Sequence, residues 1–341
     1  AATVLPDSSI DITARERGTT LYLPEGTSRM LAETSLADYA LGLNEISRAL
    51  SFKMKLDENG AVEECQVLKT IVDVKRLTYE KATELKDTPE LKPLFDIAAK
   101  NIARRTKAGA KSIDLPEVHI TVDPETKKVS IVPEVRYEAA SMICEMMLLA
   151  GEGAARFAFR NRIPFPYVSQ EAPEIPSDIP SGLAGQFRML RCMHKRSVGI
   201  TPALHAALGL AMYSQVTSPL RRYSDLVAHE QLRAFIGGRP VIDKDAMLER
   251  ISEGDAASIA AKKASRYSEM HWKLVYLLQN PSWTGEAVCV DHKDSQAQLY
   301  IPSLDMQTYI TPQKMPELNE TMTVKAGNID IPFQKADFTV C

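Results

Sequence analysis

The sequence predicts an α+β chain: a mixed sheet wrapped by helices, followed by a small β-barrel. Three observations carry that prediction. In the first half, alternating apolar and polar residues pair off around turn signals, as where Leu50, Phe52, Met54 and Leu56 run into Asp57-Glu58-Asn59-Gly60. Between such pairs, apolar residues recur at helical spacing, as in Leu91, Leu94, Phe95, Ala98 and Ile102. After Asn280-Pro281 the texture changes to short alternating runs separated by turns.

Taken in order, Gly18 to Leu23 reads as a short strand closed by Pro24, and Leu50 to Leu56 as a half-exposed strand turning into a second one. Pro89 to Lys107 has one apolar helical face. Val118 to Val122 and Val129 to Val132 make a hairpin around Asp123-Pro124, and a long helix runs from about Tyr137 to Phe159. Five prolines between Pro164 and Gly182 predict an extended surface loop. A basic helix around Arg188 to Arg196 and an apolar segment to Tyr213 come next. Further helices start at Pro219 and at about Asp255, the latter running to Leu278. The runs Gly285 to Val290 and Gln296 to Ile301, parted by Asp291-His292-Lys293-Asp294, predict a five-stranded small barrel of the OB type. The domain division is therefore 1–279 and 281–341.

Length and composition agree with one large domain and one small one: 341 residues, 45% hydrophobic and 25% charged. A formal net charge of −3 excludes a generally basic nucleic-acid binder, so any polyanion must be gripped by a local concentration of cations. The five cysteines are scattered and no two have metal-ligand spacing, which reads as reduced thiols in a cytoplasmic protein. The six histidines form no H-x-x-x-H pair, against a zinc hydrolase. No apolar run reaches membrane-spanning length: Glu145, Glu152 and Arg156 interrupt the richest one, Ser141 to Phe159. No signal-peptide pattern opens the chain, and its first residues read like the middle of a domain.

The most informative segment is Thr217-Ser218-Pro219-Leu220-Arg221-Arg222-Tyr223-Ser224-Asp225. Ser218 is a good N-cap and Pro219 suits the first helical position, which would put Arg221 at the third. A cation there opposes the helix dipole, and an anion held at the helix start is one reason to tolerate it. Surface ion pairs of Arg221 and Arg222 are the plainer alternative. Gly151-Glu152-Gly153 resembles part of a dinucleotide fingerprint but lies inside a helical pattern after no strand, so it reads as close helix packing, with no dinucleotide cofactor.

The run from Thr217 to His229 resembles the T-S-P-[IL]-R-[RK]-[YW]-x-D-[LM]-x-x-H signature of the RNase II/RNase R family. Arg17 to Pro24 resembles the family's R-G-T-S-V-Y-L-P, Ala49 to Met54 its A-L-S-x-x-M strand, and Gly109 to Glu117 its G-A-x-x-x-D-L-P-E. The likeness covers roughly residues 4 to 279. It implies an RNB-type catalytic domain whose sheet and helices surround an RNA channel, a trailing RNA-binding OB domain, and Mg²⁺-dependent 3′→5′ degradation of single-stranded RNA to nucleoside 5′-monophosphates.

By the same resemblance, Arg221 contacts a phosphate near the scissile bond and Glu269 assists turnover. Tyr22 stacks on a base near the 3′ end, and Tyr79 helps distinguish ribose. Arg222 belongs to the same RNA-binding set. Arg105, within Lys100 to Lys111, and Arg191, within Arg188 to Arg196, read either as a solvated face or as the local density of cations that an RNA path needs.

Three positions depart from the family pattern. Ile113 stands where a base-stacking Phe is usual, and Cys144 where a Glu is. The D-x-x-x-x-x-D-x-D-D metal motif lies ahead of the matched segment, and Asp7 and Asp11 do not replace it. The implied Mg²⁺ thus has no ligands here, and the alternative is an inactive RNA-binding or interaction protein of the same descent. The resemblance implies no membrane and leaves protein partners undefined.

Overall fold

Ser8 opens the first helix by accepting the Asp11 N–H on its hydroxyl, and α1 (Ser9–Arg17) ends at Gly18, whose φ of 67° suits glycine. The computed structural model describes residues 4–341. Gly18 also lies so close to a later helix that a Cβ would sit 2.5 Å from the Ser258 backbone nitrogen. The strands β1 (Leu21–Leu23) and β2 (Gly26–Ser28) follow, then α2 (Glu33–Tyr39), then the longest ribbon, β3 (Ser47–Leu56) with β4 (Val62–Val72). Its turn forms where the sequence predicts it: the Asp57 carboxylate accepts the Asn59 and Ala61 N–H groups at 2.9 and 2.8 Å.

Next come α3 (Tyr79–Glu84), α4 (Lys92–Lys107), the hairpin β5 (Val118–Val122) with β6 (Val129–Pro133), and α5 (Glu138–Arg160). The strand β7 (Tyr167–Ser169), α6 (Gly182–Cys192) and β8 (Ser197–Gly199) lead to α7 (Tyr223–Ile236) and the 36-residue α8 (Lys244–Gln279). The C-terminal strands are β9 (Thr284–Lys293), β10 (Gln296–Ile301), β11 (Met306–Ile310), β12 (Thr321–Asp330) and β13 (Lys335–Val340). They form one antiparallel sheet in the order β11-β10-β9-β12-β13, curled into the nearly closed, OB-like barrel that the alternating runs predict.

The first core lies between α5, the β3–β4 ribbon and α7. Leu149, Ala154 and Ala158 meet Val62, Val67, Phe165 and Leu232, and the apolar face of β3 that the sequence reveals packs against them. Gly151 is the close approach read from the sequence: a Cβ there would meet the Tyr213 ring at 2.3 Å and the Ser214 carbonyl at 2.4 Å. A second core ties α1 to α7 and α8 through Ala14, Tyr223, Leu226, Met247 and Ile251. A third seats Leu274 and Leu277 of α8 inside the barrel with Leu299, Ile301 and Val324. Each fully buried Leu or Ile is worth about 1.5–3 kcal/mol relative to exposure.

Four details differ from the sequence-based expectation. Ahead of the barrel the described strands pair as antiparallel ribbons, with one parallel bridge among the described residues, between Gln170 and His205; the β3–β4 ribbon turns residues of both strands toward a cavity. The Pro164–Gly182 stretch is not all surface loop: Phe165, Tyr167 and Val168 are buried, and the two aromatic rings join the core beside α5. The last long helix starts at Lys244, capped by Asp243, well before Asp255. Finally, α7 starts at Tyr223 and not at Pro219. The chain through Arg222 is held extended by its bridge to Thr19, and the buried Asp225 carboxylate accepts the Ser218 N–H, so Pro219 to Arg221 form a turn.

Candidate functional site

The Arg-Gly-Thr segment after α1 crosses the signature segment as a short antiparallel pairing. The Thr20 N–H and the Thr19 hydroxyl donate to the Arg221 carbonyl at 3.0 and 2.8 Å, and the Tyr223 N–H donates to Gly18. Two motifs some 200 residues apart are thereby fixed to each other through their backbones, and Tyr22 and Arg221 project from the one unit.

Both line a cavity of about 1070 Å³. Tyr22 is 57% exposed at its wall. Arg221 is exposed, and among the described residues its guanidinium has no hydrogen-bond or salt-bridge partner. Its neighbour differs: Arg222 grips Asp225 with two bonds, Nε to Oδ1 at 2.9 Å and Nη2 to Oδ2 at 2.7 Å. Asp225 is fully buried, so Arg222 is the partner that makes its burial tolerable. The local alternatives thus divide between the two arginines: Arg222 takes the ion pair, and Arg221 stays open to an external anion. The helix-start argument for Arg221 falls, since Arg221 stands in the turn before α7.

Arg29, Arg48, Lys69, Arg76, Arg233 and Arg239 also line the cavity, against one carboxylate, Glu33. This is the local concentration of cations that a chain of net charge −3 needs to hold a polyanion. Sequence reasoning missed it because these residues are scattered from Arg29 to Arg239 and form no basic run. His229 closes the inner wall, donating from Nε2 to the Val216 carbonyl at 2.6 Å, and burial pushes its pKa down to about 4.

The other residues named from the sequence lie elsewhere. Arg105 is spent on Glu145, through Nε at 3.0 Å and a second bond from Nη2, and on the Leu208 carbonyl. Arg104 likewise pairs with buried Glu152. Arg191 joins α6 to the barrel through Asp291 and Gln298. These guanidiniums brace the fold, because buried or interface carboxylates face them; Lys100, Lys107 and Lys111 remain exposed. Tyr79 is exposed at the start of α3, outside the cavity lining. Glu269, half-buried on α8, is also outside it; burial raises its pKa, partly offset by Lys273. Ile113 is half-buried and Cys144 exposed.

Among the described residues, no three His, Cys, Asp or Glu side chains converge as a metal site. Asp11 is fully buried, but its carboxylate accepts from Arg250, the Tyr223 hydroxyl and the Asp7 N–H. The residues present therefore do not fit a bound Mg²⁺. No helix among the described residues is long and apolar enough to cross a membrane.

The RNB domain model matches residues 1–177 and 183–238, and the chain belongs to the RNB family. It is 36% identical over 295 residues to an uncharacterized ribonuclease, sll1290, of Synechocystis, covering 82% of this chain and 44% of that one. It is 32% identical to the chloroplastic/mitochondrial ribonuclease II of Arabidopsis thaliana, covering 80% and 36%. The chain thus spans less than half the length of these two relatives. Its fold matches that of Mycoplasma genitalium RNase R, solved with ribose-methylated single-stranded RNA, at a TM-score of 0.84 and 19% identity, over 99% of this chain and 65% of that one. It also matches yeast Ssd1, described as a pseudonuclease, at 0.70 and 17%, over 98% and 47%.

Proposed function

We propose that this chain forms the RNA-holding body of a hydrolytic 3′→5′ exoribonuclease, which in the intact polypeptide shortens single-stranded RNA to nucleoside 5′-monophosphates. The observation that carries the reading is the cation-lined cavity in which exposed Tyr22 and unpaired Arg221 project from one backbone unit. Tyr22 offers a ring face on which a base near the 3′ end stacks. Arg221 offers a fork of N–H donors to two oxygens of a phosphate, a geometry lysine does not reproduce. The surrounding cations hold the backbone without reading base edges. Residues 1–279 form the catalytic body and 281–341 the RNA-binding barrel in this reading. The Mg²⁺ ligands would come from an acidic segment outside this chain.

Two bodies of support favour the enzyme: the ribonuclease relatives and the signature from Thr217 to His229. A second reading, an RNA-binding protein that has lost hydrolysis, is favoured by the lack of a carboxylate cluster among the described residues and the likeness to Ssd1. The intact polypeptide, given 5′-labelled and 3′-labelled unstructured RNA with Mg²⁺, separates them. The expected result is immediate mononucleotide release from the 3′ label and progressive shortening from the 5′ label. Internal cuts, or intact RNA, would overturn the exoribonuclease reading.

A further inference from the structure

Arg221 lines a second, smaller cavity as well, of about 230 Å³. That volume corresponds to roughly eight liquid waters at about 30 Å³ each, room for a phosphate group and its immediate attachment. Thr19, Ser224 and Ser258 contribute hydroxyls, and Arg196, Arg222 and Lys262 contribute cations. Asp255 neutralises Arg196 at 2.6 Å, and Asp225 neutralises Arg222. Lys262 and Arg221 have no salt-bridge or hydrogen-bond partner among the described residues, so two cations without a contacting carboxylate stand at one small cavity. Burial and the neighbouring Arg196 push the Lys262 pKa down, against the pull of Asp255.

The start of α7 adds an independent observation. No side chain caps this helix, whose first residues, Tyr223 and Ser224, line the same cavity. The Tyr223 N–H is taken by the Gly18 carbonyl, and the dipole of this first turn favours an anion.

We propose that this cavity is a phosphate-binding site that takes the 5′-phosphate of the mononucleotide released by hydrolysis. The two cations without a contacting carboxylate match a phosphate monoester, which carries about −1.5 to −2 at neutral pH, better than the single charge of a diester. Arg221 borders both cavities, so a phosphate passes from the large one to the small one without losing that contact. The product assignment rests on the exoribonuclease reading; the phosphate site itself does not.

The test is calorimetric titration of this chain with uridine 5′-monophosphate, inorganic phosphate and uridine. The expected result is binding of the monophosphate, weaker binding of inorganic phosphate and none of uridine. Lys262→Gln should weaken monophosphate binding roughly tenfold, the loss of one charge-assisted hydrogen bond, and Lys262→Arg should restore it. Lys314→Gln, at an exposed lysine outside both cavities, should change nothing. Uridine binding as well as its monophosphate, or Lys262→Gln without effect, would overturn the phosphate site. An equal loss in Lys314→Gln would make the binding a matter of general charge and overturn it too. Inorganic phosphate binding as tightly as the monophosphate would overturn the product assignment alone. None of these measurements involves cleavage, so they fail or succeed separately from the exoribonuclease reading.

Discussion

Arg221 and Arg222 are adjacent in sequence and opposite in role. Arg222→Ala leaves the buried Asp225 carboxylate without its bidentate partner and should cost about 3–5 kcal/mol of stability in urea unfolding. Arg221→Ala removes an exposed, unpaired group and should change stability by less than about 0.5 kcal/mol. In an active polypeptide, Arg221→Lys should lower turnover roughly 10²-fold with little change in RNA affinity, as for loss of a transition-state donor. Tyr22→Ala should lose about 1–3 kcal/mol of single-strand affinity and Tyr22→Phe much less, measured by fluorescence anisotropy with labelled RNA. Equal affinities for wild type and Tyr22→Ala would remove the stacking role.

Glu230 gives a pH dependence with a definite sign. Its carboxyl is buried with both oxygens unpartnered; burial, aided by nearby Asp11, raises its pKa to about 8 against the pull of Arg233 and Arg250. The folded state keeps a proton that the unfolded state releases near pH 4.3. Stability should therefore be lost as pH rises from about 4.3 to about 8. Glu230→Gln should flatten that slope and be more stable than wild type at pH 8 by a few kcal/mol, read from urea midpoints across the range. A slope unchanged in Glu230→Gln would assign the dependence to other groups.

The elements differ in how far local sequence determines them. The β3–β4 and β5–β6 hairpins were legible because Asp57 and Asp123 make their turns with their own neighbours. The start of α7 was not, because its N-cap position is set by Thr19 from 203 residues away in the chain. Nor was α1: Ser-Ile-Asp-Ile-Thr-Ala-Arg-Glu-Arg shows no apolar stripe, and its inward anchors are Ala14 and the buried charge of Asp11. The site divides the same way. Tyr22 and Arg221 lie in motifs that a single sequence displays, whereas the cavity's cations are gathered only by folding. Close packing of α5 gives a test at this scale. Gly151→Ala would gain helix propensity on an open helix, but here the methyl meets Tyr213 and Ser214, so a net loss of about 1–3 kcal/mol is expected in urea unfolding.

At the scale of the whole molecule, the near-neutral chain gathers positive charge at two adjoining cavities, while the barrel is fastened to the body by Arg191, Lys273 and Tyr300. That arrangement predicts a chain that holds RNA and lacks the carboxylates to cut it. Binding should be salt-sensitive, because each phosphate neutralised releases counterions, and nearly indifferent to base sequence. The most direct test incubates rigorously purified chain with labelled single-stranded RNA, following filter binding at two salt concentrations beside a gel of the same RNA with Mg²⁺ or Mn²⁺. The account predicts weak binding that falls steeply with salt and RNA of unchanged length; metal-dependent shortening by this chain alone would contradict it.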